Sequence, residues 1–253
     1  MTPGLRRGLF LAGLAGFLAF YLWGLTGLPG FGHYPGPYGF IINSIAVGQT
    51  KATGVVSAVN FEYRGFDTVG EEFILFAAAT GIATVLRHLR ADEDETDSDG
   101  AAVLGEGASD TVRLAALLFT GPTVLLGWYL ASHAQTSPSG GFQGGVVLAT
   151  AFVLVYLGGD LVTFRRISPN DLVDSAGAVG AGGFAAVGLT ALALGLPYLD
   201  NFLPLGAKPG AVSSSGTIAL ISFFVGIEVA AAFVLITSEF VRQTLAASAR
   251  SGA

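Results

Sequence analysis

Residues 217–240 read TIALISFFVGIEVAAAFVLITSEF, an apolar run with one acid, Glu228, at its middle and a second, Glu239, at its end. About 20 apolar residues are enough for an α-helix to cross the hydrocarbon core of a bilayer. A run of this length is read as a spanning helix, here over Gly216–Val241. Lipid offers no hydrogen bonds to a bare backbone, so a chain of such segments must be helical. Working outward, five more stretches meet the length rule: about Leu5–Leu28, Val69–Leu89, Val112–Ala131, Val146–Phe164 and Ala176–Leu196. The third of the six spans carries a gentle break at Gly121-Pro122. The predicted fold class is all-α, a multi-pass protein of the cell membrane with about six transmembrane helices.

Composition agrees. Of 253 residues, 52% are hydrophobic and 12% charged, against about 25% charged in soluble domains. There are no cysteines, which excludes disulfides, thiolate metal sites and cysteine nucleophiles. Three widely spaced histidines argue against a histidine metal site. No cofactor and no catalytic centre are expected. The net charge of -6 is concentrated in Asp92–Asp99 (DEDETDSD), and an acidic surface argues against nucleic acid as a partner.

The regions between spans add detail. Arg6-Arg7 followed by apolar residues resembles a signal peptide, but the run is long and lacks a small-x-small end, so a retained anchor is expected. Gly30–Phe40 (GFGHYPGPYGF) cannot be regular helix, because Pro35 and Pro37 remove backbone donors. Ile41–Asn60 reads as an interfacial or re-entrant segment. The positive-inside rule tests the layout. With the N-terminus inside, nine cations (Arg6, Arg7, Arg87, Arg90, Arg113, Arg165, Arg166, Arg242, Arg250) lie on the cytoplasmic side and three (Lys51, Arg64, Lys208) outside. This predicts N-in, C-in topology. The acidic stretch 91–111 divides the chain into a two-helix module, 1–90, and a four-helix domain, 112–253.

Several residues are candidates for chemistry. Glu228 costs roughly 2.5–3.5 kcal/mol at mid-bilayer unless it faces protein or water. It is either a proton or cation relay or a carboxylic acid hydrogen-bonded to a neighbouring helix. Asp160, in LGGDLVTFRR, pairs with Arg165 or another cation, or belongs to the same path. The cluster FEYRGFDTVGEE, residues 61–72, holds Arg64, Asp67, Glu71 and Glu72 as further ion-path or docking candidates. Asp67 or Thr68 would cap the second span, with Glu71 completing a capping box. In the loop SHAQTSPSGGFQGG, residues 132–145, glycines 140, 141, 144 and 145 permit close backbone approach and positive φ. The loop is either a tight polar turn or a re-entrant segment packed against a partner. Small residues four apart in the fifth span form two ridges, Gly177–Ala181–Ala185 and Ala178–Gly182–Ala186, which signal helix packing.

Two of these segments resemble a known family. SHAQTSPSGGFQGGVVLATAFVLVY, residues 132–156, resembles the signature of the MnhB/MrpB-type subunits of Mrp-type multisubunit cation/proton antiporters, with His133, Pro138, Gly140, Gly141, Phe142, Gly144 and Gly145 matching. VVSAVNFEYRGFDTVGEEFILF, residues 55–76, is similar to a segment near the end of the large A-type subunit of the same complexes, also found as a small chain in membrane-bound hydrogenases. Arg64, Asp67, Thr68, Gly70 and Glu71 match its core. Many MnhB/MrpB-type chains carry an acid where this chain has Phe224, one turn before Glu228.

The resemblance implies an accessory subunit of a sodium/proton antiporter, partnered by other subunits and the lipid bilayer, with Na⁺ and H⁺ as transported ions. Its alternative is a membrane-arm subunit of a respiratory or hydrogenase-like complex. A membrane protein acting alone is the third reading.

Overall fold

A computed structural model describes residues 3–28, 30, 32–33, 36–91, 109–159 and 161–251. Most of the acidic stretch, and Asp160, fall outside the described residues. Helices account for nearly all of them: α1 (Pro3–Thr26), α2 (Tyr38–Thr50), α3 (Val55–Ala58), α4 (Gly65–Ala91), α5 (Asp110–Ser132), α6 (Gly141–Gly158), α7 (Leu161–Ile167), α8 (Asn170–Ala193) and α9 (Thr217–Ser251). Six of these are long and apolar enough to cross a membrane: α1, α4, α5, α6, α8 and α9. The chain is therefore a multi-pass, all-α membrane protein.

Residues 1–41 and 42–253 form two units. In the first, α1 exposes leucines and aromatics all round, including Phe10, Phe17, Phe20 and Trp23. A helix apolar on every face suits lipid or a partner.

In the second unit α9 is the central post. Its most apolar window is 61% buried, against 17% in α4 and α5. It packs on α8, α6 and α4, with α5 against α6. Small residues permit this. A Cβ on Gly145 would stand 2.7 Å from the Gly226 carbonyl oxygen and from Val229 Cβ, and one on Gly144 would stand 2.6 Å from the Ala131 nitrogen. Without water to drive apolar association, such close packing is a main source of helix affinity in lipid. Two core clusters meet along α9. One contains Ile218, Ile221, Val225 and Val229; the other contains Ala231, Ala232, Val234 and Leu235. Glu228 sits at their junction.

Several boundaries depart from expectation. The fourth span starts at Gly141, because Gly140 is extended (φ -176°) and opens the helix. It stops at Gly158, where Gly159 donates back to the Val155 carbonyl at 2.9 Å and leaves the helical region. The second span starts at Gly65, fed directly by a π-helical turn, Val59–Tyr63. Asp67 and Thr68 are thus already inside the first turn, with their N–H groups bonded to the Arg64 carbonyl, and do not cap it. α5 runs through Pro122 unbroken. The 13-residue α2 is too short to span.

Candidate functional site

The end of the unit that carries the 133–145 loop is knitted by hydrogen bonds between distant segments. Gly54 N–H donates to the Gln135 carbonyl (3.1 Å), Thr53 Oγ1 to Thr136 O (2.7 Å), Ser57 Oγ to Ala134 O (2.7 Å) and Gln135 Nε2 to Val212 O (2.6 Å). Asn201 caps α9 from outside: its Oδ1 accepts from Thr217 N–H at 2.8 Å, while its Nδ2 donates to Glu62 Oε2 at 2.9 Å. Burial pushes the half-buried Glu62 carboxyl above its ordinary value. The Asn201 bond opposes that rise, and the nearby Asp200 charge adds to it.

His133 ends α5 and stacks on Tyr129, with ring centroids 4.2 Å apart. Pro138 and Phe142 are exposed, Phe142 edge-on to Phe233. Gly141, Gly144 and Gly145 lie against α9 and α5 within this chain. They serve close approach; positive φ is used at Gly195, Gly206, Gly210 and Gly216 instead.

Glu228 is fully buried, and neither of its carboxyl oxygens has a hydrogen-bond partner among the described residues. The backbone of α8 makes room for it at Gly180, where a Cβ would come within 2.6 Å of Glu228 Cβ. The ridge on α8 is therefore Gly177–Gly180–Ala181–Phe184. Ala178, Gly182 and Ala186 are exposed, so the second expected ridge faces outward.

The acids of the 61–72 cluster separate by helical phase. Arg64 and Asp67 form an exposed ion pair. Glu71 is exposed, whereas Glu72 is only 3% exposed, with Oε2 unpartnered among the described residues. Glu72 stands on α4 and Glu228 on α9, two helices that pack against each other. The signal for Glu72 was its phase: Gly65, Thr68, Glu72, Ala79 and Ala83 recur on one buried face of α4.

Each of these two acids lines its own cavity. A cavity of about 260 Å³ at the loop end is walled by Glu72, Glu71, Thr68, Asn60, Ser139 and Gln143, among others. A second, of about 230 Å³, runs from Glu228 past Thr80 and Thr84 to Arg87 and Asp174, between mostly apolar walls. At its far end Arg87 Nη1 and Nη2 donate to Asp174 at 2.7 and 3.1 Å, and Arg87 Nε donates to Glu239 at 2.8 Å. Glu239 is fully buried. Arg242 adds a second cation at 3.8 Å and donates to Asn170 at 2.9 Å. This network ties α4, α8 and α9 together. In the sequence, Arg87 and Arg242 stand out only as topology markers.

Residues 111–235 match the model of a domain related to the MnhB subunit of Na⁺/H⁺ antiporter. An uncharacterised protein of Methanocaldococcus jannaschii is 25% identical over 237 residues, covering 86% of this chain and 87% of the relative. A probable K⁺/H⁺ antiporter A/B subunit of Rhizobium meliloti is 27% identical over 126 residues, 42% of this chain but 12% of that protein.

Among solved structures, a chain of the membrane-bound sulfane sulfur reductase, an archaeal respiratory membrane complex, superposes with a TM-score of 0.71 at 28% identity. The match covers 93% of this chain and 98% of that one. The Mrp complex from a Dietzia species superposes at 0.70 and 21% identity, over 94% of this chain and 26% of its counterpart, a likeness of fold. The likeness to the MnhB subunit of Na⁺/H⁺ antiporters thus rests on the domain over residues 111–235.

Proposed function

We propose that this chain is an accessory membrane subunit of a multisubunit monovalent cation/proton antiporter, contributing scaffold and part of an ion path. The single observation that carries the path is Glu228: fully buried in the central helix, unpartnered among the described residues and open to a cavity. An acid used only as structural glue would have its oxygens bonded to a neighbouring helix. The chain acts as a transport component without a catalytic centre of its own. Na⁺ and H⁺ are its proposed ions and the other antiporter subunits its partners. In the N-in, C-in orientation the Arg87 end faces the cytoplasm.

The Rhizobium relative is described as an A/B subunit, which supports reading the chain as two modules, 1–90 and 112–253, joined by an acidic stretch. His133, Pro138 and Phe142 remain candidates for contact with other subunits. The test is the assembled complex in proteoliposomes. Glu228→Gln abolishes sodium-dependent proton movement without loss of assembly if the reading holds; undiminished transport by an assembled variant refutes the path.

A second reading rests on the respiratory structure, whose chain matches along 98% of its length. Here the chain is a membrane-arm subunit of a respiratory or hydrogenase-like ion-pumping complex. Iron–sulfur proteins co-purifying with the chain would select it.

A further inference from the structure

We propose that Glu72 and Glu228 form a two-carboxyl proton relay that joins the loop-end cavity to the Arg87-end cavity, giving this one chain a continuous proton route between its two ends. The proposal rests on the reading of Glu228 as part of an ion path, and adds its partner and its ion.

Four observations carry it. The two acids stand on different helices, α4 and α9, and are both nine-tenths buried or more. Three of their four oxygens have no hydrogen-bond partner among the described residues, the state of groups available to exchange protons. Those two helices pack against each other. Finally, each opens to a different cavity, and the two cavities leave toward opposite ends of α4: one is lined by Thr68 near its start, the other by Arg87 near its end. Both are far larger than the roughly 10–15 Å³ that one water needs by the same measure.

The Arg87-end cavity favours protons over metal cations. Its walls are chiefly apolar, from Ala79 and Ala83 to Ala231 and Leu235. Asp174 is already claimed by both Nη atoms of Arg87. A sodium ion entering there would trade its hydration shell for the Glu228 carboxylate and the hydroxyl oxygens of Thr80 and Thr84, with the Arg87 charge ahead of it. A proton needs only one acceptor oxygen and water.

The step balances simply. A hydrated proton in the loop-end cavity forms an O–H bond on the Glu72 carboxylate and leaves water behind. That O–H bond then breaks as one forms on Glu228 through intervening water, and Glu72 is again a carboxylate. Glu228 passes the proton to water in the second cavity. One positive charge moves, no electrons are exchanged, and the sequence runs equally in reverse.

The experiment uses the assembled complex in proteoliposomes carrying an internal pH dye, with assembly checked on native gels. Glu72→Gln and Glu228→Gln are each expected to slow proton movement by about 100-fold or more, the scale of a lost proton-transfer group. Because the acids act in series, the double variant is no slower than either single one. Glu72→Asp recovers part of the rate, which a purely structural role at Glu72 would not produce together with the series behaviour. Normal proton movement in Glu72→Gln, with Glu228→Gln inactive, overturns the relay and leaves the reading of Glu228 standing. Normal movement in both overturns both. Should Glu72→Gln not assemble, Glu72→Met decides: a rate slowed as in Glu228→Gln supports the relay, and an unaltered rate overturns it.

Discussion

Gly180 on α8 lies directly against Glu228 on α9, so close that a Cβ on the glycine would stand 2.6 Å from both the amide nitrogen and the Cβ of the glutamate. The buried acid and the helix that accommodates it are thus one packing feature. Gly180→Ala forces the two backbones apart and is expected to destabilise the protein by about 1–3 kcal/mol, the cost of overpacking. Gly182→Ala, two residues away with open space at its Cβ position, is expected to leave the melting temperature unchanged or raise it, since alanine favours helix over glycine by about 1 kcal/mol. Thermal unfolding of both variants in one detergent checks the pair. Equal melting temperatures would show that α8 and α9 do not meet at Gly180.

The Arg87 network makes a second case. Arg87→Ala removes a cation that stands 2.8 Å from the fully buried Glu239. Stranding a buried charge costs about 3–5 kcal/mol. Arg242 remains at 3.8 Å, so the expected loss is about half of that. Glu239→Gln in the same background removes the stranded charge and restores part of the stability. A double-mutant cycle by thermal unfolding measures this, and strictly additive effects would contradict the geometry.

Glu62 predicts a pH dependence. Its folded-state pKa is raised by burial above the ordinary 4.5, in spite of the Asn201 bond. The folded state therefore binds the proton more tightly than the unfolded one. Its stability contribution is fully present below pH 4.5 and is lost as pH rises through the higher folded value. Glu62→Gln keeps an acceptor for Asn201 without the charge. Its melting temperature is expected to exceed that of the parent at neutral pH and to converge with it in acid. A constant gap across the range would count against burial as the cause.

Asn201 predicts a capping effect. Asn201→Ala removes the acceptor for Thr217 N–H at the start of α9, which costs about 1 kcal/mol for a cap of this kind. It also leaves Glu62 without its donor. Thermal unfolding of Asn201→Ala and Glu62→Gln, singly and together, is expected to show coupling between them.

Much of this was legible in the sequence, and the limits have physical causes. The six spans follow from apolar length alone, because lipid permits little besides helix. Glu228 announces itself as a lone acid in an apolar run. The glycines of the 132–145 loop read as close-packing residues, and Gly141, Gly144 and Gly145 are so used. Glu72 stands among the sequence candidates, but nothing there tells it apart from Arg64, Asp67 and Glu71. The phase of α4 depends on where it starts, and the π-helical turn before Gly65 leaves no recognisable cap. On α8 the small residues fall in every phase, so composition could not choose the Gly177–Gly180 face. The Arg87–Asp174–Glu239 contacts join residues far apart in sequence, and local patterning is blind to them.

As a proposed antiporter component, this chain is expected to work as one of several subunits in a membrane complex. Mass spectrometry of what co-purifies with it in mild detergent, from its own cells, tests that most directly. The expected result is a stoichiometric set of further membrane chains that includes large antiporter-like subunits. Recovery of the chain alone, as a single stable species with no companions, would contradict it.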